Sequence, residues 1–270
     1  MTLPSAASEL ALLEATAREA GALARELIAK PLEIVSKRDG SPVTNVDRAV
    51  NALLAERLQS ARPDYGWLSE ETPDAPAQRI GKPRVFVLDP IDGTVALIRK
   101  LPEFTISIGI VVEGQAFAGA IHNPVTEEIF LGALDHGATL NGAAIRATER
   151  GELAGARVFA PRSRVADALW RQPGPSTGFP QRRSIAYRLA AAAAGQADAT
   201  VLFGFKHEWD VAAGAAIVAA AGGAVSDLWG EPLVFNQVSP KIPGLAAAGA
   251  RLHPLIIERT SGSPDPRAAS

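Results

Sequence analysis

The sequence predicts an α/β protein of the layered α+β kind. Two amphipathic helices open the chain, and a run of consecutive strands separated by Gly and Asn-Pro turns follows them. From about Gly151 the pattern changes to strands alternating with Ala-rich helices. At 270 residues there is chain enough for one large domain or two modest ones. The expected division is an N-terminal half over 1–150, a C-terminal half over 151–260 and a disordered tail over 261–270.

Composition excludes several chemistries. The chain has no cysteine, so disulfides, thiolate zinc sites and a cysteine nucleophile are ruled out. Four scattered histidines make a histidine-rich metal site a poor expectation, and any metal should be hard and oxygen-bound. A net charge of −2 offers no electrostatic case for a nucleic-acid polymer or a membrane surface. The stretch from Glu9 to Lys30 is interrupted by Glu14, Arg18, Glu19, Arg25 and Glu26, unlike a secretory leader. Val211–Val225 is short for a membrane span and reads as a buried helix. A cytoplasmic location is the expectation.

Residues 5–29 carry Leu10, Leu13, Ala17, Gly21, Ala24 and Ile28 at helical spacing, which predicts an amphipathic helix ended by Pro31. Lys37–Pro42 is turn-rich. Thr44 and Asn45 cap a second helix to about Ala61, with Val46, Val50, Leu53, Leu54 and Leu58 on one face. Asp47 falls in its first turn, where the helix dipole favours a carboxylate. Gly66–Ser69 is a short strand delivering Glu70 and Glu71, and 72–83, with three prolines, is a loop.

Val85–Thr94 reads V-F-V-L-D-P-I-D-G-T. Its four apolar residues predict a buried strand ending at Asp89, with Pro90 stopping further regular pairing. Asp92 comes three residues later, followed by Gly93 and Thr94. Alone, Asp89 could end a strand and Asp92 could cap a helix. Set together behind a buried strand, they are the parts of a metal-plus-phosphate site: carboxylates for divalent cations, and N–H groups of a helix entry for an anion. A brief helix (Val95–Arg99) follows, then strands at Phe104–Val112, Gln115–His122, Glu128–Leu134 and Ala138–Leu140.

In the second half, Arg157–Ala160 is an expected strand, Val165–Arg171 a helix and 172–183 a loop. Ser184–Ala194 and Asp210–Ala221 are Ala-rich helices suited to close packing on a sheet, the second stopped by Gly222-Gly223. Strands are expected at Ala199–Phe203, Ala224–Asp227 and Leu245–Ala248, and a last helix at Leu252–Arg259. Five acids thus stand at strand tips or helix starts: Asp47, Glu70, Asp89, Asp92 and Asp210. Periodicity does not bring them together in space.

Ser69-Glu70-Glu71, Asp89-Pro90-Ile91-Asp92-Gly93-Thr94 and Trp209-Asp210-Val211-Ala212-Ala213-Gly214, in this order, resemble the inositol monophosphatase superfamily of magnesium-dependent, lithium-sensitive phosphomonoesterases. The likeness covers about residues 5–250, including Lys37–Thr44, Asn141-Gly142 and Ala221-Gly222-Gly223. It implies a five-layer α/β/α/β/α sandwich and two or three Mg²⁺ ions. Carried onto matching positions, Glu70, Asp89 and the carbonyl of Ile91 would bind one metal, and Asp89, Asp92 and Asp210 a second. Thr94, hydrogen-bonded to Asp47, would take the proton from a metal-activated water, with Glu70 also in the catalytic set. Gly93, Thr94 and Asp210 would contact the phosphorylated substrate.

The resemblance also bears on substrate. Inositol-hydrolysing members carry a Glu seven residues before the Trp-Asp aspartate, and here that position is Phe203, which cannot accept hydrogen bonds from ring hydroxyls. Lys37–Thr44, Trp67–Glu71 and Ser184–Arg188 look more like the bacterial 3′(2′),5′-bisphosphate nucleotidase branch. Phe203, Lys206, His207 and Arg188 would then suit a base and a second phosphate, although each could equally be a core aromatic or a solvated charge. The expected activity is hydrolysis of adenosine 3′,5′-bisphosphate. The alternatives are an inositol or other sugar monophosphatase, and a non-catalytic binder of the same fold. The expected partner is a small phosphorylated molecule, with neither a nucleic-acid polymer nor a membrane; the sequence leaves a homodimer open.

Overall fold

A computed structural model describes residues 4–160 and 182–269. The helix expected at Val165–Arg171 and most of the 172–183 loop lie outside the described residues. Helix α1 (Ala6–Ile28) and helix α2 (Asn45–Ala61) are joined by a two-stranded antiparallel hairpin, β1 (Ile34–Ser36) and β2 (Pro42–Thr44). The turn-rich Lys37–Pro42 segment is the centre of this hairpin; its short flanking strands leave little trace in the sequence, since the β1 residues are all exposed and carry no hydrophobic alternation.

A seven-stranded sheet follows, made of β3 (Gly66–Ser69), β4 (Arg84–Asp92), β5 (Thr105–Val112), β6 (Gln115–Asn123), β7 (Glu128–Ala133), β8 (Gly137–Leu140) and β9 (Ala143–Ile145). Spatial order equals chain order; β3 and β4 run parallel and every other pair is antiparallel. One-turn helix α3 (Pro76–Arg79) lies in the proline-rich loop, and α4 (Thr94–Ile98) follows β4. The second sheet is ordered β10 (Val158–Phe159), β11 (Ala199–His207), β13 (Lys241–Gly249), β12 (Gly223–Ser226). Helices α5 (Ile185–Ala193) and α6 (Glu208–Ala220) lie between the sheets, and α7 (His253–Thr260) covers the far side.

The layers are therefore α1/α2, large sheet, α5/α6, small sheet, α7, the five-layer α/β/α/β/α sandwich. Among the described residues, three large apolar cores and a small cluster of Phe159, Ala191 and Ala197 fill the spaces between them. Leu13, Val50, Leu54, Phe86, Leu88 and Ile108 lie between the first helices and the large sheet. Val87, Ile121, Phe130, Leu189, Val211, Ile217 and Leu245 fill the middle. Val201, Leu228, Leu252 and Ile256 lie beneath α7. The continuous apolar run of β4 follows from this, because its alternate residues serve two different cores and the whole strand is buried.

Helix α6 sits against the large sheet along a row of glycines. Gly109 pairs with Gly119 and Gly119 with Gly132, across β5, β6 and β7. A methyl group at Gly119 would stand 2.3 Å from the carbonyl oxygen of Ala213, so only glycine lets the helix backbone rest there. The close helix–sheet packing expected of the Ala-rich segment has this row as its counterpart.

Two sequence expectations change. Pro90 does not end β4, which continues to Asp92 through a register shift between Asp89 and Asp92. A bulge tolerates a residue without an N–H, and that is where the proline stands. The tail expected to be disordered from 261 carries a 3₁₀ turn at Pro266–Ala269. Its Gly and Pro content masks specific partners: Trp229 Nε1 donates to the Ser263 carbonyl, and the Arg267 guanidinium pairs with Asp227 and covers the Trp229 ring. Among the described residues no helix is long and apolar enough to cross a membrane.

Candidate active site

The site is built on the bulged end of β4. Asp89 Oδ1 accepts the N–H of Ile91 at 2.9 Å, closing the turn around Pro90. Gly93 then adopts φ +100°, and a side chain there would also approach the Glu103 carbonyl. That left-handed step turns the chain directly into α4. Asp92 is held from another part of the chain: its Oδ2 accepts the Ser184 hydroxyl at 2.7 Å and the Ala186 N–H at 2.6 Å, at the start of α5. Ser184 also accepts the N–H of Tyr187 and lies 2.9 Å from Thr105 Oγ1, so one hydroxyl caps α5 and secures Asp92.

Asp210 arrives from the first turn of α6. Its Oδ2 accepts the N–H of His207 at 3.1 Å. Asp89, Asp92 and Asp210 each bring a carboxylate oxygen into one group whose members lie within 4.8 Å of one another. Burial, then the charges of Glu70, Asp92 and Asp210, push the Asp89 carboxyl well above its ordinary range. Burial pushes Asp92 up to about 6 against the opposing bonds from Ser184 and Ala186, and burial with the Asp92 and Glu70 charges raises Asp210.

Glu70 stands at the end of β3, beside this group. Lys37, from the hairpin, donates to Glu70 Oε1 and Glu71 Oε1, both at 2.6 Å. Burial would pull the Lys37 ammonium down, but its bonds to the two glutamates outweigh that and hold it above its usual value. Asp47 serves two ends at once. Its Oδ2 accepts the N–H and hydroxyl of Thr44, completing a capping box on α2, while its Oδ1 accepts the Thr94 hydroxyl at 2.9 Å. The hydroxyl of Thr94 also lies 3.2 Å from the Ile91 carbonyl. Burial raises the Asp47 carboxyl, opposed by the bonds from Thr44 and Thr94.

A cavity of about 400 Å³ opens over these groups, lined by Glu70, Asp89, Asp92, Thr94 and Asp210 together with Arg183 and Arg188. Ser41, Pro42, Ile91, Gly93 and Val95 complete the wall among the described residues. Of the four residues expected to set specificity, Arg188 reaches this wall. The other three do not line it: Phe203 still pairs in register with Gly244, and beyond it a left-handed Gly204 and a register shift redirect the strand end that carries Lys206 and His207. Phe203 packs against the core beneath α7, Lys206 Nζ donates to the carbonyls of Phe203 and Phe205, and His207 stacks on Trp209 with centroids 4.4 Å apart.

The sequence reading assigned no role to Arg183, Ser184 or Lys37. Ser184 was legible as a helix cap, but its bond to Asp92, 92 residues away, leaves no local signal. The acid group fits a hard divalent cation. Neutral N–H and hydroxyl donors bond the three aspartates, from Ser184 and Ala186 to Asp92, from Ile91 to Asp89 and from His207 to Asp210. Oxygen donors this close and this buried repel one another as anions, and a divalent cation between them would offset that repulsion.

A family model described as "Inositol monophosphatase family" matches residues 7–264. The 3′(2′),5′-bisphosphate nucleotidase CysQ of Escherichia coli O157:H7 is 34% identical over 213 residues, covering 77% of this chain and 85% of that relative. The Nus factor SuhB of Pseudomonas aeruginosa is 34% identical over 227 residues, covering 79% and 83%. Among solved structures, an inositol monophosphatase from Anabaena superposes with a TM-score of 0.77 at 25% identity, over 97% of this chain and 98% of that one.

Proposed function

Because the chain belongs to the inositol monophosphatase family, we propose that it is a magnesium-dependent phosphomonoesterase that cleaves 3′(2′),5′-bisphosphate nucleotides such as adenosine 3′,5′-bisphosphate. The observation that carries the substrate is the cavity wall. Beside the acid group the wall carries two guanidiniums, Arg183 and Arg188, and Glu70 is the one further carboxylate that lines it among the described residues. A neutral polyol gives such a wall little to bind; a second phosphate gives it a charge-assisted partner.

Glu70, Asp89 and the Ile91 carbonyl would hold one ion, and Asp89, Asp92 and Asp210 a second. Bound there, Mg²⁺ supplies positive charge against the phosphate oxygens and makes water easier to deprotonate. Thr94 Oγ1 receives a proton from the attacking water while passing its own to Asp47 Oδ1. A buried carboxylate with a raised pKa suits that acceptor role. The N–H groups of Gly93 and Thr94, at the entry to α4, orient phosphate oxygens.

A substrate panel with Mg²⁺ tests the reading. Adenosine 3′,5′-bisphosphate is expected to give the highest kcat/KM, and faster turnover of inositol 1-phosphate would overturn the nucleotide assignment. That second outcome is the one favoured by the solved inositol monophosphatase above. Arg188→Ala should raise KM for the bisphosphate by about tenfold, the worth of one charge-assisted hydrogen bond, and leave KM for a simple monophosphate nearly unchanged.

A further inference from the structure

We propose that Glu208, with Asn236 and Arg79 behind it, is the positioning device that fixes Asp210 within the acid group. Glu208 is the first residue of α6, two before Asp210, and is fully buried. Its carboxylate accepts two consecutive backbone N–H groups, from Asn236 at 2.6 Å and Gln237 at 2.9 Å, and its own N–H donates to the Pro240 carbonyl. The first turn of α6 is thereby fastened at three points to the segment before β13.

That segment is itself anchored. Asn236 holds a left-handed φ of 58°, and its side-chain oxygen accepts Arg79 Nη1 at 2.7 Å. Arg79 Nη2 donates to the Gln237 carbonyl at 2.9 Å, and the guanidinium is bidentate to Asp74 at 2.7 Å. Arg79 is wholly buried as well. The preceding residue, Phe235, donates its N–H to Gly114 at the turn between β5 and β6. The loop from Glu70 to Arg79 enters the same knot, so the segments bearing Glu70 and Asp210 converge on one set of bonds.

A helix start needs no buried carboxylate, and an ionised group without water is costly unless fully bonded. Here the bonds it makes go to a different segment and set the height of the α6 first turn over β4. Asp210 follows on that turn, where a displacement of about 1 Å would spoil ligand geometry.

The proposal rests on the reading that Asp210 helps hold Mg²⁺, and its test separates the two. Mg²⁺ binding to the full chain is measured by titration calorimetry without substrate, for wild type, Glu208→Gln, Asn236→Gly and the control Asp210→Asn. Glu208→Gln is expected to weaken Mg²⁺ binding by about tenfold, the low end of effects seen for groups behind metal ligands. Asn236→Gly retains the left-handed backbone and the N–H donors, loses only the tie to Arg79, and should weaken binding in the same direction. Should Glu208→Gln fail to fold, Asn236→Gly decides alone. Variants that melt lower yet bind Mg²⁺ as wild type does would overturn the proposal and leave the metal reading intact. A wild-type chain that takes up no Mg²⁺ would overturn both.

Discussion

At the scale of single residues, Asp47 shows why a cap and a catalytic group need not be alternatives. One of its oxygens finishes the α2 capping box and the other accepts Thr94, so the cap geometry aims the second oxygen. Thr94→Val keeps the volume and removes the hydroxyl. It should lower kcat by about 10²–10⁴-fold, the usual range for general acid–base groups, while Mg²⁺ affinity stays within a few-fold of wild type. Stopped assays beside calorimetry check both numbers. Asp92→Asn keeps the shape and the bonds from Ser184 and Ala186 but removes a charge from the acid group. Loss of roughly 10²-fold or more in kcat is expected, equivalent to about 3 kcal/mol of barrier. Wild-type kcat at saturating Mg²⁺ would leave Asp92 as a mere structural acceptor.

At the scale of elements, the site is assembled from ends: the bulge of β4, the tip of β3, the first turns of α2, α5 and α6. Each end is where backbone N–H groups are unpaired, and each acid there answers a local need as well as a shared one. The glycine row under α6 fixes how deep that helix lies, and so where Asp210 stands. Gly119→Ala should force α6 off the sheet. The cost expected for overpacking is about 1–3 kcal/mol, read as a lower urea midpoint, with reduced phosphatase activity because Asp210 moves too. An unchanged midpoint would mean that the sheet yields instead. Elements also account for where Lys206 and His207 stand. A left-handed Gly204 and a register shift after Phe203 redirect that strand end, and a one-residue slip reverses the face a side chain presents. Phe203 itself stays in register and packs on the core beneath α7.

At the scale of the molecule, two sheets and three helix layers press acidic groups together at one buried point. Asp92 has its folded-state pKa raised from 3.8 to about 6, and Asp89 and Asp210 are raised as well. A carboxyl raised on folding contributes stability below its unfolded value, and that contribution is lost as pH climbs through the folded value. His122, His207 and His253, lowered by burial, act with the opposite sign over the same range. The share of the acids is therefore the amount by which metal-free wild type loses more melting temperature between pH 5.5 and 7.5 than Asp92→Asn does. Mg²⁺ added near pH 7.5 should raise the melting temperature by mass action and flatten this dependence. Calorimetry on chelator-treated and Mg²⁺-loaded samples measures both, and a metal-free wild-type profile with the same slope as Asp92→Asn would show that the acids do not repel as their burial implies.

The kinds of element and the identity of the acids are legible in the order of residues. Helical stripes of period 3.6 and a strand apolar on both faces are local facts of chemistry, and so is a carboxylate next to a Gly-Thr helix entry. Exposed β1 and the tail beyond Thr260 were illegible for the converse reason, since polar partners rather than a periodic apolar face hold them. Packing in three dimensions is what brings Asp89, Asp92 and Asp210 to one point and sets Ser184 on Asp92. It also places Arg188 at the cavity and leaves Phe203, Lys206 and His207 off its lining. Those facts depend on contacts between segments far apart in the chain, set by register, a bulge and the depth of a helix on a glycine row, and none of these leaves a periodic trace in the order of residues.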